Sequence, residues 1–381
     1  MKILWIPHTG WHISQRAHIF CRALAQRHEI HVTDWVADFS TVRDYLSLHY
    51  LRNFTYRSYK DGNILVHGIP RISPAMHVRQ LRRLNTAIFQ NFVQRIIKKY
   101  HIEVVVGTFL LPPPNVSRLI FDLFDENVTA WQAQGHEHLA EEIDQVERAY
   151  LQQADIVVTA SSVLQDKAIS LGTSAPIVLI PNPVELSQFG SSKGNALRSQ
   201  FQPNKKIIGS VANYSKKIEV DLLIETAKLL ADEPYLFYIA GAGSALSHGK
   251  RRVRSEGITN IIFSGPVPRH DLPNVLDAFD VGLCIYEKTP MDDARSPMRL
   301  IAYSALGLPT VATDVEEIKR LQFPNVVLVN PMPSSIAEGI RRAVQMERQQ
   351  PANIASYDIE HLAKRFESVI VGDTHIESER A

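Results

Sequence analysis

Two aspartates, Asp122 and Asp125, close an apolar run in SRLIFDLFDEN, a placement that proton-transfer chemistry uses. A carboxylate at the carboxyl end of a strand projects from the sheet edge, where it can take a proton from a hydroxyl brought up to it. Asp125 falls in the loop beyond the strand and would project from its carboxyl end; the alternative is a loop aspartate that caps a helix. His8, in IPHTGWHISQRAH, follows another apolar run and is a third proton acceptor. His8, His12 and His18 lie close in sequence, but no carboxylate stands at ligand spacing, so no metal site is expected.

A second chemistry is the holding of phosphate. Thr9 and Gly10 lie between a strand and an amphipathic helix carrying Arg16, where glycine lets backbone N–H groups approach an anion or sugar. A simple turn is the alternative. IAGAGSAL offers Gly241 and Gly243, but Leu246 stands where the dinucleotide fingerprint has its third glycine, so a tight strand-to-helix turn is an equal reading.

The stretch DDARSPMRLIAYSALGLPTVAT is the third such loop. Ser296 is a candidate N-cap and Pro297 a candidate first helical residue, which would leave the N–H groups of Met298 and Arg299 free for a diphosphate. Arg299 adds a fork of donors. Lys216 and Lys217, in VANYSKKIEVDLL, follow the strand before and could neutralise the other side of the same diphosphate, unless they are simply solvated. Asp292 and Asp293 could bind sugar hydroxyls or serve as turn residues. No Walker sequence occurs, which argues against an NTPase of that type.

These loops need strands to position them. KILWIP, EIHVTDW, NILVHG, EVVVG, SRLIFDL, DIVVTA and PIVLIP are apolar runs without polar alternation, separated by helical patterns. They predict strands covered on both faces, hence a parallel α/β sheet. After PNPVELSQF and a polar tract the rhythm restarts with KIIGSVA, YLFYIAG, NIIFSG, DVGLCIY, LPTVAT and NVVLVN. The expected organisation is two doubly wound, Rossmann-like domains, 1–181 and 182–355, facing a cleft at the carboxyl ends of their strands. A C-terminal helix, 356–381, would pack back on the first domain.

Composition agrees. At 381 residues the chain exceeds what one core organises, and 45% hydrophobic with 21% charged residues excludes a disordered or fibrous chain. A formal net charge of +1 gives no whole-chain argument for nucleic acid. Two cysteines, Cys21 and Cys284, cannot build a disulfide framework, which suits a reducing cytoplasm. The start, MKILWIPHTGW, is broken by Pro7 and His8 before a membrane span or signal core could form, and reads as a buried strand.

Charge is uneven, however. Between Arg43 and Lys99 stand eleven Lys/Arg against Asp44 and Asp61. RQLRRLNTAIFQNFVQRIIKKY interleaves these bases with apolar residues at helical spacing, so residues 43–99 could rest on an anionic membrane surface or form an ordinary helix with a solvated basic face. No nucleic-acid recognition motif accompanies the patch.

GSVANYSKKIEVDLL, FYIAGAGS, FSGPVPRHDLPNVLDAFDVGLCIY and SPMRLIAYSALGLPTVAT together resemble the nucleotide-binding blocks of GT-B glycosyltransferases. The likeness is to bacterial polysaccharide-type members of glycosyltransferase family 4 and to related exopolysaccharide glucuronosyltransferases. QRAHIFCRALAQRHEIHV, LIFDLFDE and VERAYLQQADIVVTAS resemble their acceptor-domain blocks, and PNPVELSQF their interdomain segment. Within these blocks the resemblance adds Val267 and Tyr286 to the donor contacts and makes Asp125 the base. The chain departs from the family pattern at Ala294 and Ala302, where paired glutamates are common; Met298-Arg299 resembles the helix-start pair that some members rely on instead.

What the resemblance implies is transfer of a hexose, with UDP-glucose the foremost donor, to a polysaccharide or lipid-linked oligosaccharide at the inner face of the plasma membrane. The chain has no Asp-x-Asp motif, so Arg299, Lys217 and the helix start would stabilise the leaving diphosphate without a metal or other cofactor. A nucleotide-sugar epimerase of the same architecture and a non-catalytic sugar-nucleotide-binding relative are the alternatives.

Overall fold

The computed structural model describes residues 1–11, 16–35, 55–72, 78–108, 111–189 and 195–372. They divide into two compact units, Met1–Pro181 with the chain from Ile359 on, and Asn182–Asp358. The second unit therefore ends at Asp358 rather than at residue 355.

In the first unit the apolar runs form β1 (Lys2–Trp5), β2 (Glu29–Trp35), β4 (Ile64–Ile69), β5 (Val104–Gly107), β6 (Arg118–Leu123), β7 (Ile156–Thr159) and β8 (Ile177–Leu179). The sheet order is β3-β4-β2-β1-β5-β6-β7-β8. All neighbours are parallel except β3 (Arg57–Asp61), which pairs antiparallel with β4 and was not expected. Its sequence, RSYKD, is almost wholly exposed and carries no apolar signal; a tight turn at Gly62, φ +60°, folds it onto β4. Strand order reverses between β1 and β5, so the loops after these two strands diverge and leave a crevice at the sheet edge.

Among the described residues, α1 (Arg16–Leu24), α2 (Arg79–Tyr100), α3 (Asn127–Ala133), α4 (Glu137–Gln153) and α5 (Ser162–Ser170) accompany this sheet. The C-terminal helix Ile359–Val371 belongs to the same unit and buries Leu362, Phe366, Val369 and Ile370, a stripe at 3.6-residue spacing. Phe366 meets Trp5 at 5.0 Å and Phe20 of α1 at 5.1 Å between ring centroids, which places this helix over the first strand. In α2, Asn85, Phe89, Val93 and Ile96 face inward, while Arg83, Arg95, Lys98 and Lys99 are exposed.

The second unit is a parallel sheet ordered β11-β10-β9-β12-β13-β14. Its strands are β9 (Lys206–Asn213), β10 (Tyr235–Ala242), β11 (Ile261–Gly265), β12 (Val281–Cys284), β13 (Thr310–Thr313) and β14 (Val326–Val329). These are the six apolar runs of the C-terminal half. Its reversal falls between β9 and β12. Entry and exit of this unit are fastened together: Val184 N–H donates to Tyr357 O at 2.9 Å and Leu186 N–H to Asp358 Oδ1 at 3.0 Å.

Candidate functional site

In the second unit the loops after β9 and β12 flank the reversal point and are joined across it. Lys216 Nζ lies 2.5 Å from Glu287 Oε2 and 3.8 Å from Asp292 Oδ2. Asp292 is completely buried and forms a capping box with Thr289, so the acid is built into the loop rather than presented to a sugar. Arg295 approaches Asp292 at 3.5 Å. Lys216 is thus charge-compensated, whereas Lys217, first residue of the helix Lys217–Leu229, is exposed.

Tyr286 organises the cations. Its buried ring carries the guanidinium of Arg295 at 5.1 Å and that of Arg299 at 5.3 Å. Among the described residues no carboxylate lies within salt-bridge distance of Arg299, which is half-buried at the start of the helix Met298–Ala305. Glu219, in the first turn of Lys217–Leu229, is pushed up by burial and drawn down by Arg299, Lys216 and Arg295. Val267 packs on the apolar cluster that contains Tyr286 and Ala302.

Several expectations change here. Ser296 is not the N-cap: that position is Pro297, and the helix begins at Met298. Ser296 Oγ instead accepts the Asn182 N–H, and Met298 N–H is taken up by Ser296 O at 3.0 Å, so it is not free for a phosphate. Asp293 holds the helix Glu316–Leu321 by accepting the Glu316 N–H at 2.9 Å. Gly241 and Gly243 have packing reasons: a Cβ would stand 1.9 Å from Ala212 O at the first and 2.2 Å from Tyr214 O at the second. Close backbone approach accounts for both glycines, Gly241 within β10 and Gly243 just beyond it.

In the first unit the loops after β1 and β6 meet, for the His8 ring lies 4.3 Å from Phe124. Burial pushes the His8 imidazole down to about 4, so it is neutral at physiological pH. Thr9 and Gly10 lie half-buried in the same loop. Asp125, half-exposed, follows Phe124; its Oδ1 accepts the Glu126 N–H at 3.0 Å and its carbonyl accepts Asn127 Nδ2–H at 3.1 Å.

Asp122 is a different kind of acid. It is buried and ion-paired with Arg16, Nε to Oδ1 at 3.1 Å and to Oδ2 at 3.2 Å, while Arg16 Nη1 donates to Pro181 O. That pair anchors α1 to β6, and the role of Asp122 as a reserve base falls away. His18 lies near Asp61 and Arg22, His12 lies outside the described residues, and among the described residues no group of three His, Cys, Asp or Glu could hold a metal. Sequence reasoning missed Arg295 and Glu287, although the Arg295-x-x-x-Arg299 spacing could have flagged the first.

Comparison with known proteins now bears on this geometry. Residues 195–361 match the family Glycosyl transferases group 1. The chain is 32% identical over 215 residues to the putative colanic acid biosynthesis glycosyl transferase WcaI of Escherichia coli (strain K12), covering 53% of this chain and 52% of that protein. It is 25% identical over 188 residues to the putative teichuronic acid biosynthesis glycosyltransferase TuaH of Bacillus subtilis (strain 168), covering 48% and 46%. The chain thus spans about half the length of the curated relatives it matches. Among solved structures it resembles a sucrose-phosphate synthase from Thermosynechococcus elongatus, with TM-score 0.76, 15% identity and 98% coverage of each chain. It also resembles Anabaena HepE in complex with UDP and glucose, with TM-score 0.63, 16% identity and coverage of 98% and 100%.

Proposed function

We propose that this chain, which has the fold of the glycosyltransferase structures it resembles and matches the family Glycosyl transferases group 1 over residues 195–361, transfers a hexose in the building of a cell-envelope polysaccharide. The donor in this reading is a nucleotide sugar, foremost UDP-glucose, and the acceptor a saccharide or lipid-linked oligosaccharide. The curated relatives named for colanic acid and teichuronic acid biosynthesis support the setting, and HepE with UDP and glucose supports the donor class.

The observation that carries the reading is Arg299, a cation fixed over Tyr286 with no carboxylate in ion-pair range among the described residues. Leaving-group departure from a nucleotide sugar concentrates charge on the diphosphate, and a preorganised guanidinium meets that charge without reorganisation. Lys217 adds a second cation, while Glu287 and Asp292 fix Lys216. No metal enters this account. On the acceptor side, Asp125 accepts the hydroxyl proton as the new glycosidic bond forms.

The exposed bases of α2 support contact with anionic lipid at the inner face of the plasma membrane. Among the described residues no helix is long and apolar enough to cross a membrane. Calorimetric titration with UDP and GDP, followed by a radiolabelled-donor transfer assay, tests the whole reading; failure to bind any nucleoside diphosphate would remove it. Ala302, which sits in an apolar cluster, favours a second reading as a sugar-nucleotide-binding protein without activity. UDP binding with no hydrolysis or transfer from any donor would select that second reading.

A further inference from the structure

Adjoining Asp125 is a buried ion cluster that the proposed chemistry leaves unused. Lys167 of α5 places Nζ 2.6 Å from Glu126 Oε2 and 2.7 Å from Glu147 Oε2. Glu147, on α4, is wholly buried, and its Oε1 has no hydrogen-bond partner among the described residues. Glu126 is the N-cap of α3: its Oε1 accepts the Thr129 N–H at 3.2 Å, and its own N–H donates to Asp125 Oδ1. A single ammonium thus ties the first turn of α3, beside Asp125, to two other helices.

Two carboxylates against one ammonium leave one negative charge in excess where water is scarce. Burial pushes the Glu147 carboxyl up to about 7; Lys167 draws it down, and Glu126 and Asp144 push it up again. The groups facing Glu147 are Lys167 from α5, Glu126 from the cap of α3, and Asp144 from its own helix. Near neutrality Glu147 therefore stands close to a change of charge.

We propose that Glu147, Lys167 and Glu126 form a positioning relay that orients Asp125 for proton transfer. With Glu147 ionised, Lys167 is held between both carboxylates, the arrangement seen here. Once Glu147 gains a proton, Lys167 is drawn wholly to Glu126, and the first turn of α3 loses its tie to α4. The proposal rests on Asp125 being the base; the three residues act through it and touch no substrate.

The test follows kcat from about pH 5.5 to 9 at saturating donor for the wild type, Glu147→Gln and Lys167→Arg. The protection of the Thr129 amide against hydrogen exchange, corrected for intrinsic rate, is measured alongside. In the wild type, kcat and Thr129 protection should both rise through about pH 7, with kcat changing on the order of tenfold, as modest misplacement of a base predicts. Glu147→Gln should hold both flat near their acid values with donor KM unchanged, and Lys167→Arg, which keeps the cation, should retain the rise. An unchanged pH profile in Glu147→Gln overturns the relay. If that variant does not fold, wild-type Thr129 protection that ignores the same window overturns it instead. Normal turnover by Asp125→Asn sinks the base assignment separately, and Thr129 protection then reports on the cluster alone.

Discussion

Asn182 is bound twice to Ser296: its backbone N–H donates to Ser296 Oγ at 3.0 Å, and its side-chain Nδ2 donates to Ser296 O at 3.1 Å. Ser296 is buried, and Pro297, Met298 and Arg299 follow it. The entry segment of the second unit thus sets the position of the loop that presents Arg299. Ser296→Ala removes the acceptor of the Asn182 N–H, and leaving that group unmet should cost about 1–3 kcal/mol. Thermal unfolding should show that loss, and UDP affinity should fall with it, because the Arg299 loop loses its fastening.

Arg299→Ala should weaken UDP binding by about 1.5–3 kcal/mol, the usual worth of a charge-assisted contact. Lys216→Ala should act differently, because it strips Glu287 of its cation and leaves buried Asp292 with Arg295 alone, and so destabilises the loop itself. Titration of UDP beside a melting curve separates the two. An Arg299→Ala protein with undiminished affinity would move the diphosphate elsewhere. EDTA should leave turnover intact, and loss restored by magnesium would contradict the metal-free reading.

Asp125→Asn keeps the shape of the side chain but removes its basicity. Turnover should fall by roughly 10²–10⁴-fold with UDP affinity unchanged. Asp122→Asn should instead damage the fold, because it leaves the buried Arg16 guanidinium without its counter-charge, a loss of about 3–5 kcal/mol. Kinetics and unfolding on the pair of variants check both. Near-normal turnover by Asp125→Asn would shift attention to His8 or to a mechanism without a protein base there.

A buried hydrogen-bond chain predicts acid sensitivity in the first unit. His31 Nε2 lies 2.9 Å from Glu29 Oε1, His31 Nδ1 lies 2.9 Å from His67 Nε2, and His67 Nδ1 lies 2.7 Å from the Tyr56 hydroxyl. With Glu29 ionised, His31 donates from Nε2, His67 donates to His31 Nδ1, and Tyr56 donates to His67. A proton added to His31 would set its Nδ1–H against the His67 Nε2–H, and one added to His67 would turn the Tyr56 hydroxyl from donor to acceptor. Burial pushes His67 down to about 4, helped by His31 and Lys99, and burial also lowers His31. A depressed histidine contributes stability that is fully present above its unfolded value near 6.5 and is lost as pH falls towards about 4, here on the order of 3 kcal/mol from His67. Melting temperature should drop across that window in the wild type and drop less in His67→Gln.

Legibility in the sequence followed burial. Runs such as EVVVG and DIVVTA became strands because a parallel strand covered on both faces must be apolar throughout. The edge strand RSYKD had no such pattern, since solvent meets most of it, and only its pairing with β4 makes it a strand. At the candidate site, residue types were readable and partners were not. Asp122 and Asp125 look alike three positions apart, and only Arg16, 106 residues away from Asp122, tells them apart.

The sequence by itself determined two parallel α/β units, the loops at their strand ends, and a cation, Arg299, at a helix start. Tertiary structure alone decided which charges are spent on the scaffold and which remain for a ligand. Lys216 and Lys217 are adjacent in the chain, yet the first is neutralised by Glu287, 71 residues on, and the second is exposed. Ser296 reads as a helix cap but is claimed by Asn182, 114 residues before it. The physical reason is common to these cases. Local pattern follows from backbone geometry and burial within a few residues. Ion pairs and side-chain hydrogen bonds depend on distances of a few ångströms that arise only when sheet order brings remote loops together.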